Sequence, residues 1–296
     1  MLDYGRRRDT QQIKMIKNFK IKDSSGDTLN IDLRYTESNK GKLPLLVFCH
    51  GFKGFKDWGC FPYMLDSISA NNICCVSFNF SFNGVDNEKD NPALFDKLDL
   101  FAKNTFSREL DDLGDVIDWL ESEQKNYNYD FNNLTLAGHS RGGGIAILKT
   151  AEDSRIKKMI TLASVAEFNR YGEETLKRWK EEGFIEALNT RTRQKMRMNY
   201  TLIEDLEKNR ERLSIVNAMK RIKVPALIIH GKEDLAVDYS DAEVLFEAGS
   251  KKFLSDSTAL KLYEKTGHTF GAVHPFAGTT KALENVIRDI VSFIKK

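Results

Sequence analysis

The chain has 296 residues, 41% of them hydrophobic, 30% charged and 10% aromatic; this is enough apolar material for a sizeable core and too much for a disordered polymer. Its 45 Lys and Arg against 43 Asp and Glu give a formal net charge of +2, which lacks the basic excess of a nucleic-acid-binding protein. No apolar run reaches the roughly 18 residues of a membrane span, and the N-terminal stretch has no apolar segment of signal-peptide type.

A cytoplasmic protein is therefore expected, and the length suits one large domain or one domain with an insertion. Residues 16–22 and 29–35 alternate apolar and polar around Ser24-Ser25-Gly26-Asp27, the pattern of a hairpin. Residues 43–49 (Leu-Pro-Leu-Leu-Val-Phe-Cys) are almost continuously apolar, as are 73–78, 134–137, 159–163 and 226–229. Such runs suit strands covered on both faces, as in a parallel sheet. Between them, residues 109–121 place Leu110, Leu113, Val116, Ile117 and Leu120 at helical spacing, and residues 282–294 do the same near the C-terminus. The alternation predicts an α/β protein whose mostly parallel sheet begins with an antiparallel pair. Cys49, Cys60, Cys74 and Cys75 form no C-x-x-C pair, so buried free thiols are expected rather than a zinc or redox site.

Residues 166–218 break this rhythm. They are charge-dense and helical in tendency, with no convincing strand, and longer than an ordinary connection in an α/β sheet. Trp179, Phe184, Met196, Met198 and Tyr200 exceed what a solvated helix needs. The segment reads as a helical cap, inserted between a first core part (1–165) and a second (219–296).

The strongest chemical signal is Gly138-His139-Ser140-Arg141-Gly142, a G-x-S-x-G that follows an apolar strand and precedes helix-like residues 145–150. A nucleophilic serine on a tight strand-to-helix turn needs glycines beside it, and the helix N-terminus offers amides to a developing oxyanion. Asp234, just past the apolar run ending in Ile229-His230-Gly231, is the candidate acid. Its competitors are Glu233, one position early, and Asp238, which suits a helix cap. His268, in Thr266-Gly267-His268-Thr269, is the candidate base, preferred over His274 beside Pro275. The loop His50-Gly51-Phe52-Lys53-Gly54 could turn the Phe52 amide toward a substrate carbonyl, with the Arg141 amide as second donor. His50, His139 and His230 read as structural; they lie near strand ends but lack metal-ligand spacing, so no metal or cofactor is expected. Phe55, Trp58, Phe80 and Phe82 divide between pocket and core, and with Trp179 they are the candidate substrate contacts.

The order Ser140, Asp234, His268, with the loop motif and the elbow, resembles the α/β-hydrolase superfamily from about residue 15 onward. Within it, His50-Gly51-Phe52, Gly138-His139-Ser140-Arg141-Gly142-Gly143 and Gly267-His268-Thr269-Phe270 resemble the cinnamoyl/feruloyl-esterase-like and dienelactone-hydrolase-like branch. The resemblance implies an eight-stranded sheet with helices on both faces, and a cap inserted after the sixth strand. It also implies a Ser140–His268–Asp234 triad with oxyanion donors at Phe52 and Arg141. Dienelactone hydrolases proper use Cys where this chain has Ser140, and the Val-Pro that often follows the acid is here Val237-Asp238. The expected activity is cleavage of small carboxylic esters with an apolar or aromatic acyl group. An amidase or small-peptide hydrolase, an acyltransferase, and a non-catalytic binding protein on the same fold are the alternatives. A small-molecule ester is the expected partner, nucleic acid is not, and a homodimer is left open.

Overall fold

A computed structural model of the chain describes residues 14–37, 41–89, 95–250 and 257–296. The N-terminal stretch inspected for a leader lies outside them. β1 (Lys14–Lys22) and β2 (Thr28–Thr36) form the antiparallel hairpin, in register from Lys14↔Thr36 to Lys22↔Thr28. β1 takes the sheet edge, and its residues alternate between exposed and half-buried.

The apolar runs become β3 (Leu43–Cys49), β4 (Cys74–Asn79), β5 (Tyr129–His139), β6 (Ile156–Leu162) and β9 (Ala226–Gly231), joined by β10 (Thr258–Tyr263). The eight-stranded sheet has the order β1-β2-β4-β3-β5-β6-β9-β10. β2 runs antiparallel to both neighbours, and every pairing from β4 to β10 is parallel. Successive side chains of a strand point to opposite faces, so β3 feeds two cores. Leu45, Val47 and Cys49 pack on one side with α3 (Phe106–Glu123), α4 (Arg141–Glu152) and α8 (Ser240–Ser250). Leu46 and Phe48 pack on the other with α1 (Phe61–Ser69) and α9 (Lys281–Lys295). This is the α/β-hydrolase architecture, with helices on both faces. A short α2 (Leu98–Lys103) precedes α3. Among the described residues no helix is long and apolar enough to cross a membrane, and all four cysteines are buried free thiols.

Residues 166–218 lie between β6 and β9 and are not purely helical. They hold α5 (Glu173–Glu182), α6 (Thr201–Lys208), α7 (Ile215–Met219) and a two-stranded antiparallel sheet of β7 (Phe184–Asn189) and β8 (Gln194–Asn199). The expectation of no strand is thus corrected. In β8 each Met alternates with a charged residue, a period of two that the local charge density obscures. Met196 and Met198 share the buried face, and the fully buried Trp179 donates its indole N–H to Met198 O at 3.0 Å. Gly183, with φ +76°, ends α5 in the left-handed region and lets the chain turn at once into β7.

Candidate active site

The candidate residues gather at the carboxyl ends of the parallel strands, where open α/β sheets place their ligands. Ser140 follows β5 directly and precedes α4, with φ 57° and ψ −122°. An ordinary L-residue avoids such a backbone, so its presence is stored strain at a site. The Ser140 amide donates to Leu162 O at 2.9 Å, tying the turn to β6. Gly142 is obligatory, because a Cβ there would lie 2.3 Å from His50 O and 2.6 Å from Cys49 O. The same closeness brings the loop after β3 onto the elbow: a Cβ on Gly51 would come within 2.9 Å of Ser140 Cβ.

That loop is braced from below by His50. Nδ1 faces the Gly51 carbonyl at 2.9 Å and so donates, while Nε2 accepts from the Phe80 amide at 3.4 Å and from Asn83 Nδ2 at 3.3 Å. Burial above all holds the ring's pKa down at about 4, and a neutral ring is what one donor and one acceptor nitrogen require. The Gly54 amide closes the turn onto Gly51 O at 3.0 Å, around Phe52 and Lys53. The Arg141 amide is the first of α4, so it has no intrahelical acceptor. Its guanidinium lies over the rings of Phe52 (4.2 Å) and Phe106 (5.0 Å) and pairs with the buried Glu109 at 3.4 Å. The Arg141 side chain thus serves the packing beneath the loop and not a surface ion pair.

Asp234 follows β9, its side chain fully buried. Oδ1 accepts from the amides of Ala236 (2.8 Å) and Val237 (3.0 Å), and Oδ2 from His268 Nδ1 (2.7 Å) and His230 Nε2 (3.1 Å). Burial pushes this carboxyl up, but the His230 and His268 hydrogen bonds, the His268 charge and the Val237 amide outweigh it, leaving its pKa well below the usual carboxylate range. Since an ionised carboxylate only accepts, His268 Nδ1 carries a hydrogen, and in the neutral ring Nε2 then presents a lone pair. His139 donates from Nε2 to the His268 carbonyl at 2.9 Å, with the two rings 4.6 Å apart. Its pKa is about 3, lowered first by burial. Glu233 and Asp238 do not reach His268; Asp238 turns instead onto the Ser240 amide at 2.9 Å, at the start of α8.

Two clefts meet at Ser140 and His268, sharing Phe52 and Lys53. The first, about 280 Å³, is walled by Trp58, Phe61 and His274 and closed by Asn189, Thr190 and Arg191 at the β7–β8 turn. The second, about 540 Å³, is lined by Phe106, Phe168, Val165 and Val237 among others. Of the aromatic candidates, Trp58 lines the first of these two clefts and the other four line neither. Phe55, Phe80 and Trp179 are core residues: Phe80 packs on Phe78 at 4.9 Å, and Phe55 on Phe95 at 6.0 Å. Phe82 lies under the Arg108 guanidinium at 4.4 Å. Phe55 and Phe80, in loops, are drawn into the apolar layers on the sheet, and Trp179, on α5, packs against β8, so those three expectations are corrected; Phe82 is half-buried and lines neither cleft.

Sequence reasoning missed the turn 189–191 and gave His274 no role beyond competing for the base. His274 stacks on Trp58 with ring centroids 5.5 Å apart and planes 19° from parallel. The position of residues 189–191 between two alternating stretches was the available signal. Among the described residues no group of three or more His, Cys, Asp or Glu side chains is arranged to hold a metal ion.

Comparison with known proteins agrees with this architecture. Est1E from Butyrivibrio proteoclasticus, in its ferulic-acid-bound structure, superposes with a TM-score of 0.68 at 18% identity, covering 94% of this chain and 98% of that one. The esterase domain of a Rhodothermus marinus protein gives 0.62 at 16%, covering 94% and 97%. A protein provisionally designated a dienelactone hydrolase, from Klebsiella pneumoniae subsp. pneumoniae, gives 0.62 at 15%, covering 96% and 99%. No curated protein matches in sequence. The BD-FAE family profile matches residues 99–248, a span that includes Ser140 and Asp234 but stops short of His268. With half the chain matched and the whole sheet in agreement, the chain belongs to the BD-FAE family of α/β-hydrolase esterases.

Proposed function

We propose that the chain is a serine esterase that hydrolyses small carboxylic esters through an acyl-enzyme on Ser140. His268 Nε2 takes the Ser140 proton as Oγ attacks the ester carbonyl; Asp234 holds the ring in the tautomer that permits this and stabilises the imidazolium. The amides of Phe52 and Arg141 receive the oxyanion, each worth roughly 10²–10³ in rate. His268 then protonates the leaving alcohol and later deprotonates the water that releases the acid. The observation that carries this reading is the pairing of a strained Ser140 with an imidazole whose Nδ1 is committed to an ionised carboxylate, both lining the same clefts.

Residues 166–218 are, in this reading, a cap that completes the substrate site through the β7–β8 turn. An aromatic or apolar acyl group is favoured by the Trp58–Phe61–His274 wall, and the likeness to Est1E with ferulic acid bound points the same way. A reducing, cytoplasmic setting is part of the proposal, supported by the four free thiols.

The test is hydrolysis of p-nitrophenyl esters from acetate to octanoate, with a cinnamate-type ester, by wild type and Ser140→Ala. Wild type is expected to exceed the variant by at least about 10⁴-fold in kcat. Turnover that survives in Ser140→Ala overturns the assignment. If both are inactive, labelling of wild type by a serine-directed phosphonate separates a wrong substrate class from a silent site.

A further inference from the structure

The smaller cleft has a lining at odds with the chain as a whole. Overall, 45 basic residues nearly balance 43 acidic ones, yet the charged residues at this cleft are Lys53 and Arg191, both cations. They come from different elements, Lys53 from the loop after β3 and Arg191 from the β7–β8 turn. Lys53 Nζ donates to Leu188 O at 3.1 Å, spanning from loop to hairpin beside the cleft, and an ammonium has further donors to give. Its backbone, at φ 55°, sits in the left-handed region, and half-burial draws its pKa below the ordinary value.

The neutral groups of the wall point the same way. His274 Nδ1 accepts from the Gly59 amide at 2.7 Å, so in the neutral ring the hydrogen belongs to Nε2. Burial, then the Arg191 charge, holds His274 below its ordinary pKa and keeps it neutral. The Asn189 side-chain oxygen is engaged by the Arg191 amide at 3.2 Å and the Thr192 amide at 3.5 Å, leaving it little capacity to receive a donor from a ligand. A flat aromatic wall, two cations and a ring N–H make a cleft rich in donors and cations.

We propose that this cleft, beside Ser140, recognises esters in which one arm carries a carboxylate, with Arg191 and Lys53 gripping the anion and Trp58 and His274 stacking on the arm that bears it. This rests on the esterase reading above and narrows its substrate class. An arginine fork matches a carboxylate in two-point geometry, and a half-buried lysine adds a point charge. The larger cleft, where Arg141, Arg170 and Glu167 stand beside Phe106, Phe168, Val165 and Val237, then takes the other arm. Hydrolysis follows the ordinary course: the acyl–oxygen bond breaks, water supplies the hydroxyl and the proton, and the anionic arm leaves as part of the acid or of the alcohol.

Two matched probe pairs test this: p-nitrophenyl hemiglutarate against p-nitrophenyl valerate for an anionic acyl arm, and 4-carboxyphenyl butyrate against phenyl butyrate for an anionic alcohol arm. Wild type is expected to favour the anionic member of at least one pair by about tenfold or more in kcat/KM, through KM. In Arg191→Gln and in Lys53→Met the ratio within that pair collapses toward one. In Arg178→Gln, which removes the same charge from an exposed site on α5, the ratio persists. No preference in either pair, or a preference that Arg178→Gln erases equally, overturns the proposal. A second readout does not depend on turnover: calorimetric titration of Ser140→Ala with glutarate and with benzoate. Binding lost in Arg191→Gln supports the cleft even if no ester is hydrolysed. Absence of binding, with neutral esters still cleaved through Ser140, overturns the anion site and leaves the esterase reading standing.

Discussion

Two carboxylates are buried at the carboxyl end of the sheet, on opposite sides of Ser140, and they behave oppositely. Asp234 follows β9, and Asp112, on α3, lies under the loop after β4; their side chains are 0% and 2% exposed. Both have several donors. Asp112 receives the Ser81 amide at 2.7 Å, the Ser81 hydroxyl at 2.8 Å and Arg108 Nε at 3.2 Å. Yet Asp234 is held well below the ordinary carboxylate range, whereas burial pushes Asp112 up to about 7. The difference is charge balance. Arg108 is shared with Asp23 and Asp27, so one cation serves three carboxylates, and Asp23 further opposes ionisation of Asp112. Asp234 is reached by two imidazoles and two backbone amides, and among the described residues these pair with no second carboxylate, His230 Nε2 being shared only with the neutral Val237 carbonyl. Hydrogen-bond count alone does not set whether a buried carboxyl is ionised; what else its donors must satisfy decides it.

The largest effect that could break this contrast is at Asp234. Asp234→Asn keeps the shape but cannot hold the His268 Nδ1–H tautomer, and kcat is expected to fall about 10⁴-fold. A fall below tenfold in steady-state ester hydrolysis would show that Asp234 is not the residue orienting His268. A smaller effect follows at His230, fully buried, whose Nε2 lies 3.1 Å from Asp234 Oδ2 and 3.0 Å from Val237 O. Two acceptors on one nitrogen mean that it carries the hydrogen and braces the carboxylate and its loop together. His230→Leu is expected to cost about 1.5–3 kcal/mol of stability in urea unfolding, with kcat lowered less than in Asp234→Asn.

How much of this was legible beforehand follows from what local sequence encodes. Ser140, Asp234 and His268 could be picked out because Ser140 and Asp234 lie just past apolar runs and His268 follows an alternating one, and strand ends are where loops carry chemistry. The bracing by His230 was invisible. Its partner carboxylate is only four residues away, but nothing local says that a loop folds back to share one oxygen between two rings. The β7–β8 hairpin was hidden because Lys195 and Arg197 made a period-two strand look like a solvated helix. Phe55, Phe80 and Trp58 lie in similar aromatic-rich loops, and only tertiary packing sends two inward and one to the cleft.

The Asp112 side of the contrast is open to a pH measurement. A group whose folded pKa is raised to about 7 from 3.8 binds a proton on folding, so its stabilisation is complete below about pH 4 and is lost as the pH rises through 7. Asp234, held low, has the opposite sign: its contribution is present above about pH 4 and fades only as the pH falls through its folded value. Wild type should therefore lose Tm between about pH 4 and 7 relative to Asp112→Asn, which mimics the protonated form; parallel Tm profiles for the two would remove the charge-balance argument.

The smallest and most discriminating change is Ser81→Ala. It deletes the hydroxyl that lies 2.8 Å from Asp112 Oδ2 and keeps the amide at 2.7 Å. Losing a donor to the ionised form raises the Asp112 pKa further, so the wild-type fall in Tm should move to higher pH at a cost of about 1 kcal/mol. If the transition moves to lower pH instead, the hydroxyl was serving the protonated acid, and Asp112 is then neutral by hydrogen bonding and not through a shared Arg108.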